Sequence, residues 1–170
     1  MKNNKKGISL IVLVITIIVI IILAAAVILT LTSNNPIQSA NAAKIAQNKD
    51  SIESALNLYV AQKTAATQGQ YSNLEILTAK VGGTGAAISG LTATVSGTPS
   101  TNASITGCYL LDQAAVVSQV GITMPEAAGT PLVNSKWYID PATNKVYYVY
   151  PSTATIPSAI TAMDFVKKLV

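Results

Sequence analysis

The chain has no histidine, no arginine and a single cysteine, Cys108, among its 170 residues. Without histidine, the Ser-His-Asp and Cys-His arrangements that activate hydroxyl and thiol nucleophiles cannot be built, and the usual zinc sites lose their commonest ligand. One cysteine forms no intrachain disulfide, so an outer domain must be held by its core alone. Cys108 is expected as a small buried residue near a strand or helix start, with pairing between chains as the alternative. Charge is also scarce, at 11% of residues. Eleven lysines oppose seven acids for a net +4, and three of those lysines lie in the first six residues. Without Lys2, Lys5 and Lys6 the balance falls to +1, so the pI of about 9.2 is not a nucleic-acid signature. The acids Glu53, Glu75, Asp112, Glu126, Asp140 and Asp164 are scattered without calcium-loop spacing and read as solvated charges or caps. Gly82-Gly83-Thr84-Gly85 lacks the Gly-Lys-Ser/Thr ending of a phosphate loop and reads as a turn. No enzymatic activity, metal or cofactor is expected.

Long apolar runs, by contrast, are conspicuous at one place. Ile8 to Leu31 is 24 residues without a charge, and 18 of them are Ile, Leu or Val. At ~1.5 Å per residue a helix of this length reaches ~36 Å, enough to cross a hydrocarbon core of roughly 30 Å with some tilt. Its aliphatic side chains favour insertion by about 5–10 kcal/mol on transfer scales. In water a run so rich in Ile and Val leans towards strand, but in lipid the backbone must satisfy itself and helix wins. Lys2, Lys5 and Lys6 then place the N-terminus on the cytoplasmic side. A secretory signal peptide has an apolar region of about 7–15 residues followed closely by a small-residue cleavage site. Here the run is longer, and the small-residue stretch Ser39-Ala40-Asn41-Ala42 lies well beyond it.

Lys6-Gly7-Ile8-Ser9-Leu10 is the most specific local feature. It resembles the processing site of type IV pilins and of the pseudopilins of type II secretion. The family pattern is commonly Gly-Phe-Thr-Leu-Ile-Glu; this chain has Gly7-Ile8-Ser9-Leu10-Ile11-Val12. Gly7, Leu10 and Ile11 match, Ser9 stands where Thr is usual, and Ile8 replaces Phe. The resemblance implies that a prepilin peptidase cuts after Gly7, that Ile8 becomes a methylated N-terminus, and that the apolar helix is kept for polymerisation. Val12 departs from the pattern, since the family's glutamate is absent. The amine at Ile8 then has no carboxylate in its own membrane segment, and the hydroxyl of Thr16, one turn beyond Val12, is expected to bond its own helix backbone.

Pro36 fits the first turn of a new helix capped by Asn35, or else bends a continuous helix by removing one hydrogen bond; beyond it Ile45, Ile52, Leu56 and Tyr59 recur at helical spacing. They predict an amphipathic helix to about Thr67, stopped by Gly69. Ser72-Asn73-Leu74-Glu75 is a capping box before a short helix ending near Gly82-Gly83. Residues 82–102 are rich in Gly, Ala, Ser and Thr, with Ile88, Leu91 and Val95 marking one or two weak strands. From Tyr109 to Val120 the pattern is strand entry, then a helix with Leu111, Ala114, Val117 and Val120 on one face, ended at Gly121. Lys136–Ile139 and Lys145–Tyr150 flank Asp140-Pro141-Ala142-Thr143-Asn144, a hairpin around an Asp-Pro turn. Tyr147, Tyr148 and Tyr150 read as sheet packing, with an adhesive surface as the alternative, and Lys167-Lys168 as a solvated basic tail.

The expected fold is therefore α+β and pilin-like: a long N-terminal transmembrane and amphipathic helix packed on a small antiparallel sheet. Residues 1–7 form a leader, 8–31 a transmembrane and polymerisation helix, 32–68 its amphipathic continuation, and 69–170 a globular head with a C-terminal hairpin. The function this implies is a structural subunit of a type IV pilus-like filament. Its partners would be the membrane, prepilin peptidase, other pilin subunits in a homo- or hetero-polymer, and the pilus assembly machinery; nucleic acid is not expected. It would sit in the cytoplasmic membrane as a single span and then in an extracellular filament or on the cell surface. A non-polymerising membrane-anchored surface binding protein and a secretion-system pseudopilin are the alternatives.

Overall fold

Two long helices lie within the first 66 of the 170 residues. The computed structural model describes residues 5–33, 36–82, 85–122 and 136–169, with the side chains of 5–9 and 30–33 excepted. Lys2, the expected cap Asn35, the middle of the glycine turn at Gly83 and Thr84, and Glu126 lie outside the described residues. Helix α1 runs Lys5–Ser33 and α2 runs Pro36–Ala66. By packing, the chain divides into Met1–Ser39 and Ala40–Val170.

Within the second unit, α2 buries Ile45, Ile52, Leu56, Tyr59 and Val60 and leaves Lys44, Gln47 and Gln62 exposed on other faces. Gly69, at φ +71°, terminates it with its N–H on the Thr64 carbonyl at 2.8 Å. The capping box then forms as expected. Glu75 N donates to Ser72 Oγ, and Ser72 N donates to Glu75 Oε2 at 2.8 Å, opening α3 (Asn73–Thr78). α3 is shorter than expected. Ala79 takes the left-handed conformation at φ +53° and ends it before Gly82 is reached. Gly82 instead donates its N–H to Glu75 Oε1 at 2.6 Å, so one carboxylate ties the start of the helix to the loop after it. These donors hold the Glu75 carboxyl below its usual range, the Ser72 backbone N–H contributing most.

The sheet has five strands in chain order: β1 (Val95–Pro99), β2 (Tyr109–Leu111), β3 (Lys136–Asp140), β4 (Lys145–Tyr150) and β5 (Val166–Lys168). Pairs β1/β2, β2/β3 and β3/β4 are antiparallel, and the hairpin register Ile139↔Val146 is set by Asp140, which accepts from Ala142 N and Thr143 Oγ1 in the turn. β5 lies parallel to β4. The sheet is therefore mixed rather than antiparallel, and Lys167-Lys168 belongs to an edge strand rather than a solvated tail. A parallel return needs a crossover. Residues 151–165 supply it through the short helix α5 (Ser158–Thr161), whose Ile160 is fully buried.

Helix α4 (Gln113–Val120), capped by the Asp112 carboxylate on Ala115 N, presents a different face from the one expected. Val116 is buried, while Val117 is 41% exposed and Ala114 is exposed. The cap fixes where the helix starts and hence its phase; two adjacent valines leave hydrophobicity alone unable to choose between them. Ile76, Leu77, Leu111, Val116, Trp137, Ile139, Val146, Tyr148 and Ile160 pack with the buried stripe of α2 into one core. Trp137 and Tyr148 meet at a ring-centroid distance of 4.7 Å. The packing reading thus holds for Tyr148, while Tyr147 and Tyr150 are half-buried.

Leu56 is 1% exposed, and truncating such a leucine costs about 2–5 kcal/mol. In a fragment beginning at Asn35, Leu56→Ala should lower the melting temperature by several degrees; an unchanged melt would show that this face is not core. Glu75 provides a pH test. Its carboxyl titrates lower in the folded chain than in the unfolded one. Its contribution is therefore present above the unfolded value of about 4.3 and is lost as pH falls through the folded value. The melting difference between the parent and Glu75→Gln should be constant near neutrality and shrink below about pH 4.

Candidate functional site

The residues with the strongest sequence signal fall on α1. Gly7 and Ile8 are in its first two turns, with Lys5 and Lys6 immediately before them. Glycine disfavours a helix interior by about 1 kcal/mol relative to alanine, so Gly7 weakens the turn that carries it. Leu10, Ile11 and Val12 are 65%, 59% and 53% exposed. None of the residues from Leu10 to Leu29 is buried within the chain, and this is the one helix among the described residues long and apolar enough to cross a membrane. Thr16 Oγ1 donates to the Leu13 carbonyl at 2.8 Å, so the one hydroxyl of this stretch is satisfied by its own helix. The surface from Leu10 to Leu23 is thus a sleeve without a free polar side chain. A sleeve of this kind demands a non-aqueous surrounding, either lipid or other apolar helices.

On the second unit the sheet has two occupied faces. Its inner face meets α2, and one contact there is polar. Tyr148 N donates to the Phe165 carbonyl beside β5. Val146, two residues earlier, directs its N–H to the same edge, but β5 begins opposite Tyr148 and does not reach it. Glu53 Oε1 accepts that N–H at 2.8 Å, and Glu53 Oε2 pairs with Lys49 Nζ at 2.8 Å. The Glu53 hydrogen bond raises the Lys49 pKa, partly offset by desolvation. Glu53 is thus a bridge from helix to sheet rather than a solvated charge. Only its position one residue after buried Ile52 hints at this in the sequence.

The outer face carries Leu110, Tyr138, Tyr147 and Val149. The loop joining β1 to β2 folds over it. Ser100 and Gly107 close the base of the loop through Gly107 N to the Ser100 carbonyl at 2.9 Å, and Ser104 N donates to Asn102 Oδ1 at 3.0 Å within it. Ile105 and Cys108 pack on Val149, with Tyr138 and Tyr147 beside them. Cys108 is 5% exposed, matching the buried reading, and burial pushes its thiol pKa up, with the Asp140 charge adding to the shift.

A cleft lies on each side of this loop. One, of about 580 Å³, is lined by the charged side chains Lys49, Glu53, Asp140, Lys145, Asp164 and Lys167 together with Tyr147. The other, of about 630 Å³, has no charged residue among the described residues that line it. Neither was apparent from sequence, because both arise from a loop whose course depends on Ile105 finding Val149 across the sheet. Compared with protein families, with characterised proteins and with solved structures, the chain matches none of them.

Proposed function

We propose that this chain is a type IV pilin-like structural subunit, inserted and processed through its N-terminal segment and assembled through its apolar helix. The observation that carries the reading is the pairing of Lys6-Gly7-Ile8-Ser9-Leu10 with a helix that buries none of its residues from Leu10 to Leu29. A subunit that moves from bilayer to filament exchanges lipid contacts for helix contacts of similar apolarity, so the helix surface needs no polar handle for the transfer. α2 begins at Pro36, soon after α1 ends at Ser33, and the sheet packs against α2. The order of anchor, amphipathic helix and β-rich head is the order a pilin-like subunit requires. A plain anchor and a removed signal sequence are the competing uses of the same segment.

Intact mass of the membrane fraction separates the three. The proposal expects a chain starting at Ile8 and carrying one methyl group, with Gly7→Val leaving the protein in the membrane and uncut. A start at Met1 in the parent chain would make the segment an uncut anchor, and a start beyond residue 31 would make it a removed signal. Either result, or a Gly7→Val chain that still begins at Ile8, rejects the processing step.

Val12 bears on the subunit's place in a filament. An unpaired ammonium is costly in an apolar core, and this membrane segment offers the Ile8 amine no carboxylate. Either the chain is a minor or tip component beside partners that carry one, or its amine stays near the polar boundary and the filament is built differently; we propose the first. Quantitative mass spectrometry of sheared filaments should find it at a few copies per filament, with Val12→Glu raising its incorporation. Finding the parent chain as the dominant filament protein would refute the minor role.

A further inference from the structure

We propose that the charge-free cleft on the outer face of the sheet binds a neutral oligosaccharide. Its floor and walls combine two kinds of surface. Leu110, Leu169 and the ring of Tyr138 are apolar, and Ser96, Thr98 and Thr101 bring hydroxyls from β1 and the loop that follows it. Tyr138 is half-buried, held from beneath by the cluster of Ile105, Cys108 and Val149, so its ring is fixed by packing and loses little freedom when a ligand covers it. The loop wall is likewise held at its base, with Ser100 N on the Cys108 carbonyl at 2.7 Å and Gly107 N on the Ser100 carbonyl. At about 630 Å³ the cleft falls inside the roughly 300–1,000 Å³ range of small-ligand sites.

The lining selects the ligand class. A pyranose offers an apolar C–H face, which lies on an aromatic or aliphatic surface, and a rim of hydroxyls that both donate and accept. Serine and threonine hydroxyls do the same, so they can pair with such a rim without a charge on either side. An anionic glycan or an acidic peptide would call for lysine or arginine, and the cleft has neither. A purely apolar ligand would leave three hydroxyls covered and unpaired, at about 1–3 kcal/mol for each group that is buried. The charged cleft on the other side of the loop, with three lysines and three acids, lacks this selectivity for an uncharged partner.

The test uses the full chain in a detergent without a sugar head group, which would otherwise compete. Saturation-transfer NMR is recorded against neutral tetrasaccharides of glucose, galactose and N-acetylhexosamine at millimolar concentration, with a heparin-derived tetrasaccharide as the anionic comparator. At least one neutral probe should show transfer to its ring C–H protons. Thr98→Lys, at an exposed strand position, should weaken that binding about tenfold, and Lys145→Ala, in the charged cleft, should leave it unchanged. Tyr138→Phe should keep binding and Tyr138→Ala lose it, with a thermal melt recorded to confirm that the alanine variant is folded. No transfer to any neutral probe, equal binding by Thr98→Lys, or a response to the heparin fragment alone would overturn the proposal. The measurement is made on the unassembled subunit, so its outcome is independent of where the N-terminus is cut.

Discussion

Ile45, Ile52, Leu56, Tyr59 and Val60 line one side of α2, and the head is built to keep water off them. One cysteine leaves no intrachain disulfide, and no metal ligand set is found among the described residues, so the described part of this domain rests on how completely the sheet, α4 and α5 cover that stripe. The coverage is tight at the centre, where Ile52, Leu56, Ile139, Val146 and Ile160 are at most 1% exposed. Because the helix lies against the middle strands, each strand must present alternate residues inward. That requirement in turn leaves Leu110, Tyr138, Tyr147 and Val149 on the opposite face for a loop to cover.

The mixed sheet follows from the same packing. The chain leaves β4 at Tyr150 and must still fill the space that Ile160 occupies, so it crosses before pairing again and returns parallel. A short β5 leaves the Val146 N–H beyond its reach, and a buried donor of this kind is expensive to leave unpaired. Glu53 supplies the acceptor from the helix. A domain with few charges has used one of its seven acids to finish a strand edge.

Local chemistry was legible in the sequence and phase-dependent packing was not. The capping box at Ser72–Glu75, the turn at Asp140 and the helical spacing of Ile45, Ile52 and Leu56 are properties of neighbouring residues, and each is realised. The inward face of α4 turned on whether Val116 or Val117 leads, a choice that depends on distant partners. β5 was hidden because Val166-Lys167-Lys168 has no strand signature of its own; it becomes a strand only because β4 offers it an edge. For the N-terminal segment, length and apolarity were plain from composition. The two clefts had no sequence signal, since the residues of one are gathered from β1, the loop, β2, β3 and the region of β5, and those of the other from α2, the loop, the β3–β4 hairpin and the region of β5.

The contact between Glu53 and Val146 spans 93 positions. Bringing such distant segments together costs loop-closure entropy before any packing repays it, and chains dominated by contacts of this separation fold slowly. α1 has the opposite character. Helical backbone hydrogen bonds join residues four apart in sequence, and helices form in about a microsecond or less. The two parts of the chain therefore mature on separate clocks. The apolar helix is ready as soon as it is made, and the head closes only once β4 and β5 are there to meet α2. Until then the stripe on α2 is uncovered, and this is the interval in which the chain is most exposed to aggregation and proteolysis.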